Sequence, residues 1–263
     1  MLILAELSVG NGVVRADDED PSKAVESYRK SCGAGNMASC YNLGLMYKHG
    51  TGVEKDESKA VELYRKACDG GYMLGCTKLG VVYQYGTGVE KDESKAVELY
   101  QTACDGGNMI GCSNLGVLYQ HGTGVEKDES KAVELYQQAC GGEVMGGCNN
   151  LGLMYKLGTG VKKNESKAVE LYQQACGAEF MESCYDLGKM YTEGTGVARD
   201  SAAAMGLFRK ACEGGHTKAC DKLNSLSASQ SVIDFLSRNE RTVILSVVAI
   251  ILALVLAGAL KRK

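Results

Sequence analysis

One fifteen-residue string, GTGVEKDESKAVELY, stands unchanged at 50–64, 86–100 and 122–136, and returns as GTGVKKNESKAVELY at 158–172. A chain that repeats every 36 residues is confined to stacked copies of one small unit. No such unit can bury its apolar face alone, so neighbours must cover it. Six copies fit, beginning at Asp20, Asp56, Asp92, Asp128, Asn164 and Asp200. The sixth is truncated, which ends the array near Leu223.

Each copy reads as two helices. In the second, Ala60, Val61, Leu63, Tyr64, Ala67 and Cys68 recur at i, i+3, i+4, i+7, i+8, a single apolar stripe. Asp56 is the N-cap residue and Glu57 puts negative charge in the first turn. Arg65 and Lys66 fall in the last turn, and Asp69-Gly70-Gly71 stops the helix. In the first copy Pro21 takes the place of Glu57, where a first helical turn tolerates it. A second helix is predicted from Met73 to Tyr85, with Gly86-Thr87-Gly88 ending it.

Glycine inside a helix costs about 1 kcal/mol relative to alanine, yet Gly44, Gly80, Gly116, Gly152 and Gly188 recur at one position. Close approach of a neighbouring helix explains the recurrence. The sixth copy has Asn224 there, and Ser227 where the others have Tyr47, Tyr83, Tyr119, Tyr155 and Tyr191. These changes read as the cap of an array with no following repeat.

The pattern Leu79-Gly80, Tyr83, Gly86, Gly88, Val89, Lys95-Ala96, Tyr100, Ala103-Cys104 and Gly107 closely resembles the Sel1-like repeat, a relative of the tetratricopeptide repeat. The resemblance covers residues 20–223 and implies an all-α, right-handed α/α solenoid of six helix hairpins that binds proteins or extended peptides. All twelve cysteines fall in C-x7-C pairs, one per copy: Cys32/Cys40, Cys68/Cys76, Cys104/Cys112, Cys140/Cys148, Cys176/Cys184 and Cys212/Cys220. This looks like the Helicobacter cysteine-rich (Hcp) subgroup, in which each pair is a disulfide across the hairpin. Read from the residues, an antiparallel hairpin brings such helix ends together, and closing each short loop would contribute about 2.5 kcal/mol. Free buried thiols and metal ligands are the alternatives, although this spacing lacks the zinc-knuckle interval.

The same resemblance admits two other functions. Some members of the cysteine-rich subgroup are described as weak β-lactamases or penicillin binders, and a mitochondrial intermembrane-space cousin assists cytochrome oxidase assembly. The residues add little to the enzyme reading. Only Ser27-Tyr28-Arg29-Lys30 matches S-x-x-K, once in six copies, and S-D-N and K-T-G are absent. No catalytic residue, cofactor or metal is expected.

Near-identical repeats make their differences informative. These cluster on the second helix in four columns. The first is Ala38, Leu74, Ile110, Gly146 and Glu182. The next are Tyr41, Thr77, Ser113, Asn149 and Tyr185, then Asn42, Lys78, Asn114, Asn150 and Asp186. The last is His49, Tyr85, His121, Leu157 and Glu193. The offsets lie on one helical face, and the resemblance puts that face in a concave groove. Asn42, Lys78, Asn114, Asn150, Asp186, His49, Tyr85 and His121 are therefore the expected peptide-binding residues. Asparagine amides both donate and accept, which suits a peptide unit. Solvated drift is the competing reading. Tyr64, Tyr100, Tyr136 and Tyr172 are expected in the core.

Charge separates the array from the C-terminal residues. Residues 1–240 carry a net −7 and residues 241–263 carry +4, so nothing basic in the repeats suggests nucleic acid. Residues 243–260 are eighteen uncharged residues, spanning about 27 Å as a helix, close to a bilayer's hydrocarbon thickness. Lys261-Arg262-Lys263 comes next. We expect a transmembrane helix at 243–260, a Ser-rich tether at 224–242 and a basic cytoplasmic tail at 261–263. The repeats then lie outside the cytoplasm, on the periplasmic or extracellular side or, alternatively, in the mitochondrial intermembrane space. Residues 1–19 read as an N-terminal segment. It is either a weak, cleaved signal peptide or the product of a start assigned downstream of the real one.

Overall fold

The computed structural model describes residues 20–227. Among these residues the secondary structure is helical, with no strand. In chain order the helices are α1 (Pro21–Gly33), α2 (Met37–His49), α3 (Glu57–Asp69), α4 (Met73–Tyr85), α5 (Glu93–Asp105) and α6 (Met109–His121). Then come α7 (Glu129–Gly141), α8 (Met145–Leu157), α9 (Glu165–Gly177), α10 (Met181–Glu193) and α11 (Ser201–Glu213). A twelfth, α12, runs over 217–227. The helix expected from Met73 to Tyr85 is α4. Two compact units divide inside α8, after residue 147.

Local chemistry sets the helix limits in both units. Asp56, Asp92 and Asp128 each accept a hydrogen bond from the backbone N–H three residues on, at 2.9, 3.0 and 2.8 Å. Asn164 does the same at 3.0 Å. Each such cap is worth about 1 kcal/mol. The second helices stop on Gly50, Gly86, Gly122 and Gly194, all with φ between 69° and 74°, where glycine has no Cβ to clash. The first helices are followed by a left-handed residue two places on. It is Gly35, Gly71, Gly107 and Gly215 in four copies, but Glu143 (φ 62°) and Glu179 (φ 63°) in the other two.

In unit 1 each second helix packs on its own first helix and on the first helix of the following hairpin. The recurring glycine makes the second contact possible. A Cβ on Gly80 would lie 2.6 Å from Cε1 of Tyr100. Gly44 meets Tyr64 and Gly116 meets Tyr136 in the same way. The close neighbour is thus an aromatic ring carried by the next hairpin. Tyr64, Tyr100 and Tyr136 are fully buried, as core aromatics should be. The loop after each second helix folds back on the preceding first helix: a Cβ on Gly88 would lie 2.6 Å from the carbonyl carbon of Glu57. Unit 2 repeats the scheme, with Gly152 against Tyr172 and Gly188 against Phe208.

Within each unit, disulfides join the end of a first helix to the first turn of its partner. Cα atoms are 4.7 Å apart in Cys32–Cys40, 4.5 Å in Cys68–Cys76 and 4.6 Å in Cys104–Cys112. In unit 2 they are 4.7 Å apart in both Cys176–Cys184 and Cys212–Cys220. Cys140 and Cys148 are also disulfide-bonded, and none of the described cysteines is free.

The array extends a little further than its spacing implies. Residues 224–227, expected in the tether, continue α12, because Leu223 and Leu226 both pack against the Phe208 cluster. Asn224 and Ser227 are exposed, as a terminal cap requires. The N-terminal segment 1–19, the rest of the tether, the apolar run 243–260 and the tail 261–263 lie outside the described residues. Among the described residues no helix is long and apolar enough to cross a membrane.

Candidate binding face

The second helices bury most of their circumference and leave one open stripe. On α4 it is Leu74, Lys78, Val81 and Tyr85, half-exposed to exposed. On α2 it is Ala38, Asn42, Leu45 and His49, and on α6 Ile110, Asn114, Val117 and His121. Tyr85 is 69% exposed and Ile110 46%, unusual for large apolar residues in a small repeat. The offsets i, i+4, i+7 and i+11 fall within about 60° of arc at 100° per residue, one narrow ridge down each helix.

This stripe departs from the expected one in two ways. The column Tyr41, Thr77, Ser113, Asn149 and Tyr185 is closed in its three middle copies, and half-exposed at Tyr41 and Tyr185. Thr77 is 4% exposed, Ser113 8% and Asn149 9%. Position i+3 is rotated about 60° from the ridge centre, onto the side that meets the next hairpin. Its variation is packing chemistry instead. Tyr41 packs against Tyr72 at 5.4 Å between ring centroids. Thr77 donates to Asn108 Oδ1 at 3.0 Å. In unit 2, Tyr185 stacks on His216 at 4.6 Å, and Ser183 donates to Asn149 Oδ1 at 2.8 Å. Tyr72, Asn108 and His216 all sit at the N-terminus of the following second helix. Residues 31 to 34 apart therefore meet across neighbouring hairpins.

The second departure is a column outside the four expected ones, although it too varies between copies: Leu45, Val81, Val117, Leu153 and Lys189, all half-exposed. Four are aliphatic and so look like core. Only their i+7 register with Ala38, Leu74 and Ile110 could have placed them on the ridge.

The open face differs in chemistry between the units. In unit 1, Lys78 is the only stripe residue of formal charge on α2, α4 and α6. In unit 2, α10 presents Glu182, Asp186, Lys189 and Glu193, while Asn150, Leu153 and Leu157 lie on α8, with Leu157 60% exposed. Lys189 donates to Asp186 Oδ1 at 2.7 Å. Partial burial disfavours its charge most strongly, but the Asp186 hydrogen bond together with the charges of Asp186 and Glu193 and the Tyr185 hydroxyl outweighs this and raises its pKa. Glu182 accepts from His216, Nε2 to Oε2 at 2.8 Å.

The first helices carry charge on their outer sides, and the loops hold exposed pairs such as Lys55–Glu57 at 2.6 Å. Such pairs are worth little. A shallow pocket lined by Tyr47, Val53, Asp56, Lys59 and Gly88 recurs one repeat on, at Lys91–Ser94 and Gly124. It arises from the loop packing, and most of its lining is already paired, as in Lys55–Glu57 and Lys91–Glu93. Ser27 and Lys30 are exposed on α1, with no hydrogen bond between them. They form no catalytic constellation among the described residues.

Known proteins place this arrangement. The Sel1 repeat pattern matches residues 38–72, 74–108, 110–141, 147–178 and 182–216. A Sel1 repeat protein of Oxalobacter formigenes is 31% identical over 77% of this chain and 89% of its own, with a TM-score of 0.70. The protective antigen c5321 of uropathogenic Escherichia coli, described as having an SLR fold, is 29% identical over 79% of this chain with a TM-score of 0.69. This chain spans only 44% of that antigen's length. Helicobacter pylori cysteine rich protein B is 36% identical over 49% of this chain and 93% of its own, at a TM-score of 0.41. No curated protein matches the chain. Five matched repeats over most of its length show that the chain belongs to the Sel1 repeat family.

Proposed function

We propose that the chain is a disulfide-stapled scaffold that binds proteins or extended peptides on the open face of its second helices. It would be tethered outside the reducing cytoplasm by residues 243–260. The observation that carries this reading is the ridge of unit 1. Leu74, Val81, Tyr85, Ile110 and Val117 are left partly or largely open in helices that are otherwise buried. Exposed apolar ridges of this kind mark interaction surfaces. The outer helices, by contrast, are charged.

The compartment is supported by cysteine chemistry. With no free thiol among twelve cysteines, the fold suits an oxidising environment. The uncharged run followed by Lys261-Arg262-Lys263 favours a cytoplasmic tail.

Site-specific photocrosslinking in the source cells tests the binding reading. A benzoylphenylalanine at position 81 or 117 should capture discrete adducts, and one at Glu62 on the outside of α3 should not. Equal capture from all three positions, or none from 81 and 117, refutes it. Alkylation of the native membrane fraction before and after reductant tests the compartment. Free thiols in unreduced extract would place the repeats in the cytosol.

A further inference from the structure

Apart from His49, Tyr85 and His121 at the helix ends, the ridge of unit 1 is polar in one row. Asn42, Lys78 and Asn114 share a repeat position on α2, α4 and α6, each half-exposed. The rows on either side are aliphatic, with Leu74 and Ile110 on one flank and Val81 and Val117 on the other. No acidic side chain lies in these three rows, although residues 1–240 carry a net −7. Lys78 forms no ion pair among the described residues, and the amides of Asn42 and Asn114 have no hydrogen-bond partner there. Ridge residues elsewhere behave differently: Lys189 is neutralised by Asp186 at 2.7 Å. The row therefore offers one unused positive charge flanked by two unused amides, set between apolar walls.

Spacing selects the shape of an occupant. Successive second helices of unit 1 meet at a few points, where helices in contact lie about 8–10 Å apart. One turn of polyproline II advances about 9 Å in three residues. An extended chain crossing the helices along the polar row thus moves three residues per hairpin. It presents the same side of itself to Asn42, Lys78 and Asn114 in turn. We propose that unit 1 recognises an extended acidic–aliphatic peptide. Its carboxylate would sit on Lys78, aliphatic side chains directly before and after the acid would lean on the two flanking apolar rows, and its main chain would be held by Asn42 and Asn114. This rests on the open face being the peptide-binding surface, and it adds the class of peptide.

The test is selection of a random twelve-residue display library on the full oxidised chain in detergent. The expected peptides share an acidic residue with an aliphatic residue directly on each side. Changing the acid to its amide should weaken binding about tenfold, the loss of a charge-assisted hydrogen bond. Lys78→Glu, at a half-exposed site, should turn the selected charge to basic, and Lys30→Glu on α1 should leave it acidic. Enriched peptides without an acidic excess, or an acidic preference that survives Lys78→Glu, overturn this inference while leaving peptide binding intact. No enrichment overturns both. A concentration-dependent dimer that Val81→Asp dissolves, measured by sedimentation, gives the face to a second copy and also overturns the peptide assignment.

Discussion

Four repeats place a tyrosine in the same buried slot, and two of those hydroxyls find a glutamine sixteen residues earlier in the chain. Tyr100 donates to Gln84 Oε1 at 2.8 Å and Tyr136 to Gln120 Oε1 at 2.7 Å. In the other two copies Lys48 and Lys156 replace the glutamine, and the hydroxyls of Tyr64 and Tyr172 are buried without a partner. Burial pushes the pKa of both above the usual phenol value. The next copy has Phe208 in the slot and Thr192 at the glutamine position. An unsatisfied buried hydroxyl costs about 1–3 kcal/mol, and a made bond contributes about 1 kcal/mol net. Tyr100→Phe should therefore destabilise by about 1 kcal/mol, and Tyr64→Phe should be neutral or stabilise by about the same. The two changes are chemically identical at equivalent positions, so their difference in sign isolates the hydrogen bond. The assay is urea unfolding of the disulfide-intact chain, read as a shift in midpoint at constant slope. Local hydrogen exchange in α3 and α5 should accompany it, because repeat arrays open piecewise. Lys48→Gln should supply the missing acceptor, and in that background Tyr64→Phe should become costly. Equal losses for Tyr64→Phe and Tyr100→Phe in the unaltered chain would refute the reasoning. The Tyr64 hydroxyl would then have a partner, such as an enclosed water.

Further outcomes stem from the same packing. Gly80→Ala puts a Cβ 2.6 Å from the Tyr100 ring and should cost about 2 kcal/mol. Gly206→Ala, with nothing within 4 Å, should instead stabilise by about 0.5–1 kcal/mol; thermal melts of the two variants should move in opposite directions. Glu143→Gly relieves a left-handed backbone at φ 62° and should raise the unfolding midpoint by about 1 kcal/mol in equivalent stability. Partial reduction followed by mass mapping should find Cys68–Cys76 and Cys212–Cys220 opened before the better-covered Cys32–Cys40 and Cys176–Cys184. Lys66 and Lys210 reach over Cys32 and Cys176 to their carbonyls at 3.2 and 2.8 Å, whereas Thr102 turns back to Glu98 and leaves Cys68 half-exposed. Thr102→Gln should slow reduction of the Cys68 pair; unchanged order would reject the role assigned to this cover.

Most of the fold was legible because its determinants are local. Asp56 and Gly86 act within one turn of where they stand, so cap and stop residues bracket α3 and α4 correctly from spacing alone. The recurring Gly80 pointed to a close neighbour, though not to a tyrosine ring. The binding face was legible only in part. Variation singled out Asn42, Lys78 and Asn114, but it also singled out Thr77 and Tyr41, which pack against Asn108 and Tyr72 of the next hairpin. Val81 escaped notice because an aliphatic residue at helical spacing looks like core.

The amino-acid string by itself determined a six-fold helix hairpin, the limits of its helices and the pairing partner available to each cysteine, since all of these depend on residues fewer than a dozen positions apart. Only the tertiary structure decided which side of each second helix stays open, which tyrosine hydroxyls are satisfied and which disulfides are covered. Those outcomes depend on the rotation of one hairpin against the next. That rotation is set by contacts 16 to 34 residues apart, which local propensity does not encode.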